Sequence, residues 1–280
     1  MDILIRTGVR KNFLTPLYLL TVIFTVLSCF FALFMICFVF RFKEVLPKAI
    51  LNMFAYENTY DIYVTSFPSL SELKNMDFEN IALNLLSSKI IFTLASVPLV
   101  FMFTGMYRYY DIFIYKAKGF KPREILFSQY ILSFLHIFFV SCIYLGTLLL
   151  FLPLFGVDMS VSDTDRLVQT IFLQEILLFN FASIIIALCN VLKRAIPSVF
   201  AVLSMIYALP IVFVFAKNLF NVSIPFERIW ILSISYYAGK TPITFQSIFM
   251  CVCWAALSVA VSFYTLNKLS FSDTTKKGVF

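Results

Sequence analysis

Along its length the chain alternates between long apolar runs and short polar connections. Six runs, over 17–40, 90–107, 125–155, 167–192, 195–216 and 245–266, hold almost no charge. A hydrocarbon core about 30 Å thick is crossed by about 20 helical residues, so each run has the length of a membrane span or close to it. The third has enough residues to tilt or to break near Pro153. In lipid each segment must satisfy its own backbone polar groups, which makes these runs helices. None alternates polar and apolar residues as a strand of a transmembrane barrel does. The pattern therefore predicts an all-α polytopic membrane protein, a single transmembrane domain of six helices over 1–280.

Composition agrees: 61% of the 280 residues are hydrophobic, 35 are Phe and only 13% are charged, too little polar surface to cover a soluble globule. The few charges are unevenly placed. Segments 1–16, 108–124, 193–194 and 267–280 hold thirteen of the 22 basic residues and four of the 15 acids. By the positive-inside rule these face the cytoplasm, which puts both termini inside, about +9 on that side and about −2 on the other. The net +7 then reflects topology and contact with anionic lipid, and nucleic acid is not an expected partner.

The connections carry their own predictions. The first apolar run, 17–40, is too long and too far from any small-residue cleavage site to be a signal peptide, and reads as an anchor; residues 1–16 before it read either as an interfacial helix bearing Arg6, Arg10 and Lys11 or as a disordered basic tail. Segment 41–89, with Tyr56, Tyr60, Tyr63 and Pro68, reads as a small external cap of short helices. Segment 218–244 has an apolar stretch too short to cross the bilayer, and so predicts a short external helical hairpin, re-entrant or interfacial. Trp230, Tyr236 and Tyr237 would sit at the lipid boundary. Between spans two and three, residues 107–115 suit a helix leaving the membrane. Gly119 can stop it, and Pro122 and Glu124 suit the first turn of the next helix. The result is a rigid elbow over 108–124, which reads either as a docking element or as an ordinary basic inner loop.

Familiar catalytic patterns are missing. Gly239-Lys240-Thr241 ends like a phosphate-binding loop, but Ile234 stands where the first glycine belongs and Pro242 follows at once. Asn221-Val-Ser223 fits a glycosylation acceptor, a tripeptide that often arises by chance. There is one histidine in all, no Gly-x-Ser-x-Gly and no His-Glu-x-x-His. All six cysteines fall in predicted spans and read as apolar fillers, Cys251 and Cys253 on different helix faces. Polar residues within spans are the remaining candidates, because lipid makes them expensive. His136 reads as a neutral side chain hydrogen-bonded between helices or as a proton relay. Glu175 reads as a snorkelling carboxylate or, with Gln174, Asn180 and His136, as part of a substrate path.

The whole arrangement resembles the ABC-2 type permeases, the membrane subunits of ATP-binding cassette exporters. The resemblance covers nearly the full chain: the basic N-terminal segment with Arg6, Arg10 and Lys11, six spans with both ends inside, the elbow and the hairpin. It implies that the elbow is a coupling helix on the ATPase, with Arg108, Asp111, Tyr115, Lys116, Lys118, Lys121, Arg123 and Glu124 as the coupling residues. It also implies that 221–244 forms external helices. The stretch Lys118-Gly-Phe-Lys-Pro-Arg-Glu-Ile125 is equally similar to the glycine-centred turn of the MacB/FtsX-like permeases, whose span number differs. In both cases the chain itself is no enzyme and holds no cofactor, and ATP and Mg belong to a partner subunit. The expected partners are ABC ATPase subunits, a second permease chain and membrane lipid, in a bacterial cell membrane. The cargo implied is hydrophobic or amphipathic, a lipid, lipopeptide or antimicrobial peptide. The alternative is an ATPase-driven sensor or mechanotransmission scaffold. An intramembrane enzyme is a third class, without a visible acid pair, nucleophile or metal set.

Overall fold

The computed structural model describes residues 2–13, 15–42, 45, 78–161, 163–220, 226–238 and 244–269. Most of the predicted cap, including its tyrosines and Pro68, lies outside them, as do the 221–223 and 239–241 tripeptides. Among the described residues every regular element is a helix. Six are long and apolar enough to cross a membrane: Tyr18–Phe38, Lys89–Arg108, Pro122–Phe155, Thr164–Leu192, Ala195–Phe213 and Phe245–Lys268. The described residues are therefore all-α, six spanning-length apolar helices mark a multi-pass membrane protein, and these helices are spans 1 to 6 below.

Among the described residues, twelve α-helices carry this architecture. Helix α1 (Asp2–Phe13) precedes span 1, which lies within α2 (Pro16–Arg41). Helix α3 (Phe78–Leu86) leads into α4 (Lys89–Arg108), which is span 2. The elbow helix is α5 (Asp111–Ala117), and α6 (Pro122–Phe151) forms most of span 3. Span 4 is α7 (Thr164–Leu192); span 5 begins with α8 (Ala195–Leu203) and continues into α9 (Leu209–Phe220). Two short helices, α10 (Phe226–Ile229) and α11 (Ile231–Ala238), form the hairpin before α12 (Phe245–Lys268), span 6.

Local sequence explains where several helices start. Thr15 caps α2 by accepting from the Tyr18 amide, with Pro16 at the first helical position. Asp163 does the same for α7 through the Arg166 amide at 2.9 Å, and Thr244 for α12 through the Ser247 amide. Within the spans, several serine and threonine hydroxyls donate to the carbonyl one turn earlier, as Thr104 does to Val100 and Ser133 to Gln129, so these need no water.

Spans 2 and 4 form the centre, 67% and 61% buried over their most apolar windows, whereas spans 1, 5 and 6 are 28%, 22% and 11% buried. Span 6 packs chiefly on span 4, span 1 on span 3, and span 2 on spans 4 and 5. Many Phe, Leu and Ile side chains of the outer helices, among them Phe24, Phe200 and Phe249, stay exposed, as a surface solvated by lipid permits.

The structure follows one predicted alternative and departs from the predicted pattern at three places. Span 3 does break at Pro153, where a 3-10 turn (Pro153–Phe155) ends on Gly156 with φ 71°. Span 5, read as one uninterrupted helix, contains a π-helical stretch over Ser204–Ala208. The helix predicted through 107–115 is broken instead, because Tyr110 takes a left-handed φ of 58° between α4 and α5. Lys89, assigned to the external cap, stands in the first turn of α4 and is 1% exposed, its ammonium 5.7 Å from the centre of the Tyr207 ring.

Candidate functional site

The elbow is built by two helix ends. Helix α5 closes on Gly119 with φ 86°: the Gly119 amide donates to the Lys116 carbonyl, and the Phe120 amide to that of Tyr115. The Phe120 and Tyr115 rings meet edge to face at 6.1 Å, the apolar contact that accompanies this type of helix stop. Helix α6 then starts with Pro122 in its first turn, and the Glu124 carboxylate accepts from the Lys121 amide at 2.7 Å. Both sequence signals, glycine stop and acidic first turn, act where the sequence places them.

The eight residues grouped by the resemblance divide by exposure. Arg108, Lys118, Lys121 and Arg123 are exposed, Lys116 and Glu124 partly so, and Asp111 and Tyr115 are buried. The buried and partly buried members tie the elbow to the rest of the molecule. Asp111 makes an ion pair with Lys11 of α1 at 2.5 Å. Lys116 donates to the Leu266 and Leu269 carbonyls at 3.0 and 2.6 Å, capping the end of span 6. Partial burial draws the Lys116 ammonium below the usual lysine range, and burial with the nearby Asp111 carboxylate raises the Tyr115 phenol. The outward surface also carries Tyr109, Tyr110 and Ile114, at 66%, 40% and 45% exposure, which charge counting alone does not single out.

Helix α1 is ordered rather than a loose tail. Leu4 is buried, Arg6, Arg10 and Lys11 face out, and a Cβ placed on Gly8 would lie 2.7 Å from Leu132 Cδ1 of span 3. A glycine here permits the close approach that sets Lys11 beside Asp111.

A buried polar network lies one layer deeper. The Tyr107 hydroxyl donates to Asn190 Oδ1 at 2.7 Å, Gln129 Nε2 donates to the same oxygen at 3.2 Å, and Asn190 Nδ2 returns a bond to Gln129 Oε1. These three side chains join spans 2, 3 and 4, and all are at most 2% exposed. None was singled out from sequence, although Gln129 and Asn190 are uncharged amides inside apolar runs, the same signal that marked Gln174 and Asn180.

The four residues of the predicted substrate path do not converge. His136 Nε2 faces the Ala95 carbonyl at 3.0 Å and its Nδ1 the Tyr18 hydroxyl at 3.1 Å, so it links spans 1, 2 and 3. A carbonyl only accepts, which places the ring proton on Nε2 and lets the neutral ring accept from Tyr18 at Nδ1. The acceptor adjoins a backbone break: Pro98 lacks the amide that would bond Leu94, one residue before Ala95. Gln174 instead clamps the hairpin, donating to the Ser235 carbonyl at 2.7 Å and accepting from the Ser235 hydroxyl. Asn180 donates to the Cys251 carbonyl of span 6 at 2.8 Å. Glu175 is partly exposed at its own point on span 4.

The hairpin's aromatic residues also differ from expectation. Trp230 and Tyr236 are 3% and 4% exposed, packed into protein instead of lying at a lipid boundary; the Tyr237 side chain lies outside the description. Trp230 meets Phe181 of span 4 and Trp254 of span 6 edge to face at 6.3 and 5.6 Å, and Phe181 in turn meets Phe92 of span 2. The Trp254 indole donates to the Ile229 carbonyl at 3.0 Å. A six-residue apolar stretch cannot cross the bilayer, but it can fold back against spans 4 and 6 and bury its rings there.

Comparison of this chain with protein-family models, with curated proteins and with solved structures finds no match to any of the three.

Proposed function

We propose that this chain is the transmembrane permease subunit of an ATP-driven exporter of the ABC-2 type, using ATP and Mg held by a separate subunit to move a hydrophobic or amphipathic cargo. The observation that carries this reading is the elbow. A seven-residue helix stands between two spans, with exposed Tyr109, Tyr110, Ile114, Lys118, Lys121 and Arg123 on its outer side and in its flanking turns. Its inner side is fixed to α1 through Lys11–Asp111 and to the end of span 6 through Lys116. A partner pressing on such an element displaces α1, span 6 and the adjoining spans 2 and 3 together, which is what a coupling element requires. The exposed cluster joins aromatic and basic side chains, a composition suited to a protein interface.

Orientation follows from the basic segments, with the elbow and both termini in the cytoplasm. Two permease chains, identical or related, would pair with two ATPases in a cell membrane. The cargo class rests on the apolar character of the spans and goes no further than hydrophobic or amphipathic.

Gentle solubilisation of a tagged chain from its native host tests the reading. A stoichiometric ATPase with phosphate-binding loops is the expected copurifying partner. Lys118→Glu, Lys121→Glu and Arg123→Glu in one chain should abolish that association while leaving the thermal midpoint within a few degrees. Retention of the ATPase by that variant, or reproducible absence of any ATPase from the intact protein, overturns the assignment.

A further inference from the structure

A cleft of about 810 Å³ lies between α1, span 1, span 2 and the elbow, within the size range of ligand pockets. We propose that it binds one membrane phospholipid, drawn from the leaflet next to α1, with its phosphate at Lys11 and an acyl chain between spans 1 and 2. This goes beyond the exporter reading and does not depend on an ATPase partner.

Its shape argues for an amphiphile. One end is polar, closed by the Lys11–Asp111 pair; the walls are apolar, with Phe24, Phe101, Met102 and Met106 among them. On span 2 the lining runs from Thr93 to Met106, about 20 Å at 1.5 Å per residue. That is close to one leaflet with its head-group region, roughly half of a 40 Å bilayer. A helix from a second copy would have to cross the whole membrane, and the cleft does not extend that far. It is also open sideways, because Leu20 and Phe24 on span 1 and Phe101 on span 2 are 60%, 66% and 47% exposed. An acyl chain can therefore enter from the bilayer without the helices parting.

Charge selects the head group. In the Lys11–Asp111 pair the side chains are 52% and 11% exposed, so the cation faces out and the carboxylate faces in. Arg6 and Arg10 are exposed on the same helix. The mouth therefore presents positive charge toward the head-group layer, the complement of a lipid phosphate.

Two substitutions can fill the cleft with little cost to the fold. A Cβ on Gly105 meets only Tyr109 Cε2, at 4.0 Å, so Gly105→Phe projects into open space. Leu20→Trp enlarges an exposed side chain from the opposite wall. The full chain, purified and placed in vesicles of phosphatidylglycerol and phosphatidylcholine, would be labelled with a photoreactive phosphatidylglycerol and the crosslinked residues mapped. Labelling is expected on residues 15–24 and 94–109. Either filling variant should lower it about tenfold, the change that about 1.4 kcal/mol produces. Lys11→Gln should lower it about fivefold, as expected for about 1 kcal/mol per basic residue near an anionic surface. Labelling of a phosphatidylcholine probe should fall less with Lys11→Gln, because its head group carries no net charge. Labelling spread evenly over all outer spans, or unchanged in both filling variants when their thermal midpoints match the parent, overturns the site. Crosslinks to a second copy of the chain in place of lipid also overturn it.

Discussion

The elbow end and the hairpin end hold themselves together by different chemistry. At the elbow the links to neighbouring elements are ionic or charge-assisted: Lys11 to Asp111, Lys116 to two carbonyls of span 6, Glu124 to a backbone amide. At the hairpin they are neutral and buried, with Gln174 to Ser235, Trp254 to a carbonyl, and a run of edge-to-face rings from Phe92 through Phe181 and Trp230 to Trp254. Charged links on a partly exposed surface are individually weak and respond to salt. Buried neutral ones cost more to break, because the stranded groups find no water. Under the proposed permease reading, the contrast suits an end that receives a partner and an end that stays shut until the spans move.

Substitutions can break this comparison, beginning with the largest expected effect. Asn190→Leu removes the centre of the network beneath the elbow and strands Tyr107 and Gln129. It should lower stability by about 3 kcal/mol, read as the midpoint of unfolding in mixed detergent. Gln174→Ala should cost about 2 kcal/mol and speed amide exchange across 231–238, leaving α5 unaffected. If exchange in the hairpin stays at the parent rate, the clamp is not what holds it.

Smaller effects sharpen the contrast. Lys116→Met loses both caps on span 6 and should cost about 1 kcal/mol, with faster exchange confined to the last turn of α12. A double-mutant cycle on Lys11→Gln and Asp111→Asn should give a coupling of about 0.5 kcal/mol, since half of the lysine lies in solvent. That coupling should shrink further in high salt. Equal salt sensitivity for the Gln174–Ser235 pair would erase the distinction between the two ends.

Much of the frame was legible before any coordinates. Lipid imposes a length and a composition on each span, so all six apolar runs became membrane-length helices near their predicted positions. The helix stop at Gly119 and the acidic first turn at Glu124 are local devices, readable over a few residues. The candidate site was legible only in part. Exposed Lys118, Lys121 and Arg123 stand on the outer surface as a charge count suggests, while Asp111 and Tyr115, close in sequence, turn inward. Periodicity over seven residues is too short to reveal which side α1 and span 6 will cover.

What the amino-acid order determined by itself is therefore whatever a short segment and its solvent decide: helices, their number, their caps and the uneven charge along the connections. What only the tertiary structure decided is partnership. His136, Gln174 and Asn180 look alike as polar residues in apolar runs, yet each bonds a different neighbour, and Gln129 and Asn190 bond each other across 61 positions of chain. A polar side chain in lipid must find a partner, but lipid does not specify which one; that follows from the packing of whole helices, which no local pattern records.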